Sequence, residues 1–488
     1  MPPSSRFILA CLFSVMLAAF SGQAFAGNTA AGLCTAAGTH YATIQEAVNA
    51  AELLTPPSTV RVCPGTYPEQ VLITQSLTLI GVADAARDND APVILPPSGG
   101  LVQNGTDIFG NGVAAQIFVQ GPGITVTVSD LTVDGTGNNI ASCGPPTLEG
   151  IYFQNAYAKI SGNVVRNQYM TDFGVYGGCQ NALAINVESP DQYGVTISGN
   201  SVRAYQKNGI TVTGGATGPG SYGPLFTISN NYVTGLGATG MNWPTCPDYQ
   251  VCAGTPDPEV NGGAAENGIQ VCCGAYGTVE SNIVNDNIWW GEYAEYDYAN
   301  PKDPPGPTSG NGASGILVYA SEGITVTSNI VGSAQFGIAV VSDYDGSDCI
   351  GGASCGGADE TTIESNKISG TQVFDAIDLC SNSNKVQSNA IYGSGQSAVH
   401  VDDECSFSIF TSGNSNTVKS NTINEACAGI LLGTGSGNTT APNVFYNVVN
   451  TTLAGDSCTS PTYAMARRGT AKRSAFRASP YIPAKNKK

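Results

Sequence analysis

Charged side chains make up only 11% of this 488-residue chain, histidine occurs twice and tryptophan three times. So little charge, beside 61 glycines and abundant serine, threonine and asparagine, argues against a helical protein. It favours an all-β chain with many tight turns. Basic residues are scarcer still in the body of the chain. Arg6 and the eight Lys/Arg of residues 459–488 account for nine of the nineteen, leaving ten against 37 acidic groups. A body of that charge repels nucleic acid and polyuronate chains. Zinc sites of the Cys/His kind are excluded by the placement of the two histidines, His40 and His400, far from any paired cysteines. After the first 26 residues no stretch is apolar over a membrane-spanning length.

The opening 26 residues read as an export signal: Arg6 as the positive region, Phe7–Phe20 as the apolar run and Ala24-Phe25-Ala26 as the cleavage site. The mature protein is therefore expected outside the cytoplasm, secreted or periplasmic, as a monomer with no transmembrane segment. Fourteen of the fifteen cysteines remain after removal of Cys11. Their scatter, with Cys246/Cys252, Cys349/Cys355 and the adjacent Cys272-Cys273, fits loop-stapling disulfides. The basic segment 456–488 reads as a disordered extension.

Residues 27–85 carry the signs of an end cap. Thr43-Ile44-Gln45-Glu46 has the form of a capping box, and Ile44, Val48 and Ala51 share one helical face. Short strands follow at Val60–Cys63, Gln70–Ile73 and Leu77–Ile80. A coil of stacked strands is expected over 86–455, and from about residue 120 a repeat takes over. Its clearest element is apolar-x-Ser/Gly-Asn-x-Ile/Val, with asparagines at 163, 200, 231, 282, 329, 366, 389, 421 and 447, and Asp130 in the equivalent place of an earlier copy. The closest copies, Asn366 and Asn389, are 23 residues apart, and most others are longer by a loop. A second element, Gly-Ile-x-apolar, follows each asparagine: Gly150-Ile151, Gly174-Val175, Gly209-Ile210, Gly268-Ile269, Gly315-Ile316, Gly337-Ile338 and Gly429-Ile430. Ala376-Ile377 and Ala398-Val399 take the same place. Self-similarity at this period signals a solenoid whose short strands bury their apolar faces only by stacking, about 4.8 Å apart. A column of identical amides then forms a hydrogen-bonded ladder inside the coil, with a structural role.

These rungs resemble the right-handed parallel β-helix of the pectin-lyase-like superfamily over residues 40–455. The segment TIQEAVNAA…GTYPEQVLI…LTLIG (43–81) is similar to the N-terminal cap of pectin methylesterases and many bacterial β-helix proteins. The resemblance implies extracellular glycan binding or glycan chemistry. It does not carry over the best-known activities. Asp107-Ile108-Phe109-Gly110 echoes one esterase motif, but the QDT-like and LGRPW-like motifs are missing. Asp402-Asp403 matches one polygalacturonase motif, without GHG or RIK. Polyuronate lyases need several Lys/Arg in one cleft, which this body does not supply.

In Gly-Ile-x-apolar-x both x positions face outward. Down the stack the first column reads Tyr152, Tyr176, Thr211, Gln270, Leu317, Ala339, Asp378, His400, Leu431. The second includes Gln154, Thr213, Tyr319, Val341, Cys380 and Asp402. Asp378, His400 and Asp402 thus become neighbours, a constellation able to do acid–base work on a sugar. A diagonal of about 8 Å between the carboxylates falls within the inverting range. The polar-surface alternative is a solvated face with a local hydrogen bond. Two long insertions, 231–268 and 282–315, leave at one corner and hold Trp243, Trp289 and Trp290, followed by Tyr293. These aromatics, with Tyr319 and Gln270, are the candidate sugar-binding residues. Asp343, Asp345 and Asp348 resemble a fragment of a calcium loop that lacks the downstream bidentate glutamate; no other cofactor is indicated. Two functions follow: an exported β-helix that binds and cleaves a neutral or weakly charged polysaccharide, or a non-catalytic surface protein that binds cell-wall or matrix glycans.

Overall fold

A computed structural model describes residues 28–32, 34, 36, 38–54, 57–82, 92–171, 181–215, 222–236, 264–287, 289–290, 313–342, 356–370, 374–402, 413–455 and 458. The export signal, the basic extension apart from Cys458 and the Asp343/Asp345/Asp348 loop lie outside the described residues.

Each coil contributes three short parallel strands. One joins a 13-stranded sheet, in which Tyr157–Ser161, Gly194–Ser198, Leu225–Ser229 and Tyr276–Glu280 are consecutive members. The second follows the repeat asparagine, as in Ile330–Ala334 and Lys367–Ser369. The third holds the Gly-Ile element, as in Ser314–Tyr319, Phe336–Val341, Ile377–Cys380 and Ser397–Val401. Inward positions of the third face stack aliphatic side chains: Ile269, Ile316, Ile338, Ile377, Val399 and Ile430 are fully buried in one continuous core. Helix α1 (Ile44–Glu52) lies against the first coils. Its Thr43/Glu46 capping box is complete, and Ile44, Ala47, Val48 and Ala51 join the same core.

The asparagine ladder is continuous. Asn163, Asn200, Asn231, Asn282, Asn329, Asn366, Asn389 and Asn421 each accept, through Oδ1, the backbone N–H of the residue at the same place one coil earlier, at 2.9–3.1 Å. Each donates Nδ2–H to a carbonyl and to the next amide, as Asn329 does to Val279 O at 2.9 Å and Asn366 Oδ1 at 3.0 Å. The residue before each asparagine sits in the left-handed region: Gly162, Gly199, Asn230, Ser281, Ser328, Ser365, Ser388 and Ser420, at φ between 56° and 69°. This bend suits the glycines and Asn230 found there, while the serines hold it at some cost.

Three readings of the repeat need correction. The last ladder amide is Asn443, which accepts from Asn421 N at 3.0 Å; Asn447 is exposed and donates to Asn424. The final copy is displaced by four residues because Val444 and Phe445, not Val448, pair with Thr422 and Ile423. Asp130 is the left-handed residue of its coil, and Leu131 stands at the asparagine position. The Gly174-Val175 copy lies outside the described residues, and Ala184-Ile185 occupies that rung, Ile185 pairing with both Ile151 and Ile210.

Among the described residues, disulfides join Cys34 to Cys63, Cys272 to Cys273 and Cys427 to Cys458; Cys143 and Cys380 are also disulfide-bonded.

Truncation of one ladder amide strands the buried N–H of the coil below. Asn329→Ala is expected to lower unfolding free energy by about 2–4 kcal/mol in urea titration, whereas exposed Asn447→Ala changes it by less than about 0.5 kcal/mol.

Candidate active site

Strands Ile377–Cys380 and Ser397–Val401 are adjacent rungs of the third face, and their register sets Asp378 directly beside His400. Alternation along the second strand puts Asp402 on the same side, two residues beyond His400. Asp375, just before the Ala376-Ile377 corner, turns its carboxylate into the same space. His400 Nδ1 lies 3.3 Å from Asp375 Oδ2, 3.8 Å from Asp378 Oδ1 and 3.8 Å from Asp402 Oδ2. The three candidate catalytic residues therefore converge, with a fourth member that the outward-column reading did not include. Its sequence signal is a polar residue directly before the Gly/Ala-Ile pair, a place filled by Glu149, Asn208, Asn267, Ser314 and Asp375.

The cluster is deeper than an outward column suggests. Asp375, Asp378 and His400 are 2%, 6% and 4% exposed, and Asp402 is the most open of the four. The spacing also differs from the expected diagonal. The nearest oxygens of Asp378 and Asp402 lie within 4.8 Å of one another, because both side chains lean toward the imidazole instead of standing straight out from the sheet. That is closer than the roughly 6.5–9.5 Å between the carboxyl groups of an inverting pair.

Protonation follows from these contacts. Burial works to lower the His400 pKa, but Asp375 beside Nδ1, then Asp402 and Asp378, override it and push it up to about 10. Asp378 is held well above the usual carboxylate range, by burial first and then by Asp402. Asp375 Oδ1 accepts from Ser397 N at 2.8 Å and Ser397 Oγ at 2.5 Å, which fixes its orientation. Within the cluster two buried polar atoms, Asp378 Oδ1 and His400 Nε2, have no hydrogen-bond partner among the described residues. Orphaned atoms in a buried polar cluster are unusual, and they leave bonding capacity for a ligand. The donor atoms of Asp375, Asp378 and His400 also lie within 4.8 Å of one another, a spacing able to hold a metal ion. Cys380 is no thiolate ligand, since its sulfur is in a disulfide.

The sugar-binding candidates are less gathered. Gln270 is three rungs from Asp378 through Leu317 and Ala339, and its Oε1 already accepts from Asn208 and Asn267 at 3.1 Å. Tyr319 is two rungs from Cys380 and packs on the Cys272/Cys273 disulfide. Trp289–Trp290 form a short antiparallel strand with Ala264–Ala265. Their side chains, Trp243 and Tyr293 lie outside the described residues.

A second buried polar group, on the rungs of Tyr152 and Asn186, was not read from the sequence. Glu188 accepts from Tyr152 Oη at 2.7 Å, Asn186 Nδ2 at 3.0 Å and Ile108 N at 3.3 Å. Glu149 has one partner, Asn186, and burial followed by the charge of Glu188 raises its pKa well above the usual range. Asp107-Ile108 therefore belongs to a hairpin packed on this group, not to an esterase site.

Residues 279–469, less than half of the chain, match the family described as Periplasmic copper-binding protein (NosD). No curated protein matches. Among solved structures, the Dettilon tailspike protein is similar at 14% identity and TM-score 0.51, over 83% of this chain and 64% of that one. The A-module of an Azotobacter vinelandii mannuronan C-5 epimerase is similar at 12% identity and TM-score 0.46, covering 85% and 92%. The catalytic domain of a GH87 alpha-1,3-glucanase is similar at 11% and TM-score 0.48, covering 87% and 65%. Long parallel ladders, three strands to a coil, and the likeness to the tailspike protein give the chain the right-handed parallel β-helix of the pectin-lyase-like fold.

Proposed function

We propose that the protein binds a neutral or weakly charged polysaccharide on its Gly-Ile face and hydrolyses it at the Asp378/His400/Asp402 cluster. The observation that carries this reading is the convergence of three carboxylates on one imidazole with Asp378 Oδ1 and His400 Nε2 left unpartnered. Asp378, whose burial keeps the proton on, is the acid: its O–H passes to the glycosidic oxygen as the bond to the anomeric carbon breaks. Asp402, the most open carboxylate, attacks that carbon and forms a glycosyl ester. Water then cleaves the ester, giving its proton to the Asp378 carboxylate, which restores both groups. The close approach of the two carboxylates matches this retaining sequence. Protonated His400 offers Nε2–H to a sugar oxygen. Printed names among similar structures, a glucanase in complex with tetrasaccharides and an epimerase of mannuronan, support a glycan as the ligand class. Disulfides support an exported protein, and among the described residues no helix is long and apolar enough to cross a membrane. The depth of Asp375, Asp378 and His400 favours the second reading, a non-catalytic glycan binder.

A panel of neutral polysaccharides separates the two. With the correct substrate, Asp378→Asn and Asp402→Asn are expected to reduce product release at least about 100-fold, with His400→Gln losing about 10-fold or more. Binding without product from the wild type would sink the hydrolytic reading, and equal activity in all variants would remove this cluster from it.

Stability carries a matching signature. His400 titrates near its ordinary 6.5 when unfolded and near 10 when folded, so the native state holds the extra proton in between. Its stabilisation is complete below pH 6.5 and is lost as pH rises toward 10. Denaturant titrations from about pH 7 to 9 should show unfolding free energy falling by up to about 1.4 kcal/mol per pH unit, with a flatter profile in His400→Gln.

A further inference from the structure

The 13-stranded face, which carries no member of the acid cluster, has a regular outer surface. Its middle outward column aligns Thr196, Thr227, Thr278, Thr325 and Thr362 on five consecutive coils. Thr196 is exposed and the other four are half-buried, and among the described residues no side-chain hydrogen bond engages their hydroxyls. The neighbouring column, at the start of each strand, aligns Gly194, Leu225 and Tyr276, with Tyr157 one coil before Gly194. Tyr193 stands edge-on to Tyr157 at 5.0 Å and 73°, and Tyr222 to Tyr276 at 5.2 Å and 62°. Tyr157, Tyr222 and Leu225 are 41%, 47% and 48% exposed, an apolar stripe with no described covering. Tyr157 and Tyr276 are three coils apart, about 14 Å at strand spacing.

Past Tyr276 the stripe enters an open cleft of about 320 Å³ lined by Tyr222, Tyr276, Glu322, Gly323 and Glu360. Among the described residues neither glutamate forms an ion pair. Burial, then Glu360 and Asp359, raises the Glu322 pKa, as expected where negative charge is not neutralised. Two lysines share the threonine column, Lys159 one coil before Thr196 and Lys385 one coil beyond Thr362, on the far side of the Glu360 rung from Glu322. Aromatic rings joined with carboxylates are the chemistry that recognises an ammonium group.

We propose that this face binds a polysaccharide containing free amino sugars, laid along the stack, with an ammonium group seated between Tyr276 and the Glu322 and Glu360 carboxylates. The tyrosine pairs stack on sugar faces, and the threonine column bonds sugar hydroxyls. A polymer is favoured over a lone basic side chain because the aromatic pairs recur along the stack and continue beyond the cleft. The surface is separate from the Asp378 cluster and does not rest on its activity.

Titration calorimetry with a glucosamine hexamer and its fully N-acetylated counterpart, at a pH of about 5.5, tests this. The wild type is expected to bind the free-amine hexamer about 10-fold more tightly, an advantage lost in Glu322→Gln/Glu360→Gln and reduced in about 0.5 M salt. Tyr222→Ala, at an exposed ring, should weaken both ligands about 5-fold. The proposal is overturned by no binding, by equal affinity for the two hexamers, by selectivity that survives the double variant, or by polylysine binding more tightly than the amino sugar. Tyr222→Ala should leave hydrolysis of short substrates unchanged, so loss of this surface and failure of the Asp378 reading are measured apart.

Discussion

The structure depends on one hydrogen-bonding constraint: every coil must turn the same corner, and a buried amide fixes that turn. Each ladder asparagine takes up the backbone N–H of the coil before it and gives its own N–H groups to a carbonyl and to the next amide. A buried amide left unpaired is costly, so each coil is held in register by its neighbours. The left-handed residue before each asparagine is strained unless it is glycine, and the ladder offsets that strain. With the corner fixed, short strands suffice, because aliphatic side chains of successive coils stack in one continuous core.

This constraint also positions chemistry. Side chains on successive coils stand one strand spacing apart, so residues distant in sequence become fixed neighbours. Asp378 and His400 are separated by a whole coil of chain yet paired in register. The same rule builds a stripe of threonines beside tyrosines on another face. The coil therefore presents two chemically distinct surfaces, one with buried titratable groups and one with open hydroxyls and rings.

The repeat made most of the fold legible. Ser-Asn-x-Ile and Gly-Ile placed the ladder and the core, and Thr43 with Glu46 marked the helix start. What the pattern could not give was any property set by packing around the outward columns. His400 was placed beside Asp378, but not at 4% exposure, and Asp375 was hidden because its place precedes the corner that defines the rung. The terminal copy misled for a related reason: VFYNVV imitates the repeat, while Asn443 is the residue that meets Asn421. The threonine column escaped because its members lie before, not within, the conspicuous asparagine element.

The ladder has a direction. Each amide oxygen accepts from the coil before, while the amide nitrogen gives one N–H to a carbonyl of the coil before and the other to the amide of the coil after. At one end, Leu131 can stand in the row because only its backbone N–H is needed. At the other, Asn443 keeps the ladder's carbonyl bond, to Val418 O, and gives Thr440 O the N–H that the next amide would take. The stack is thus a polar rod whose two ends make unequal demands on sequence. A whole coil duplicated in the interior meets both demands automatically, whereas a coil added at the C-terminal end must bring its own asparagine.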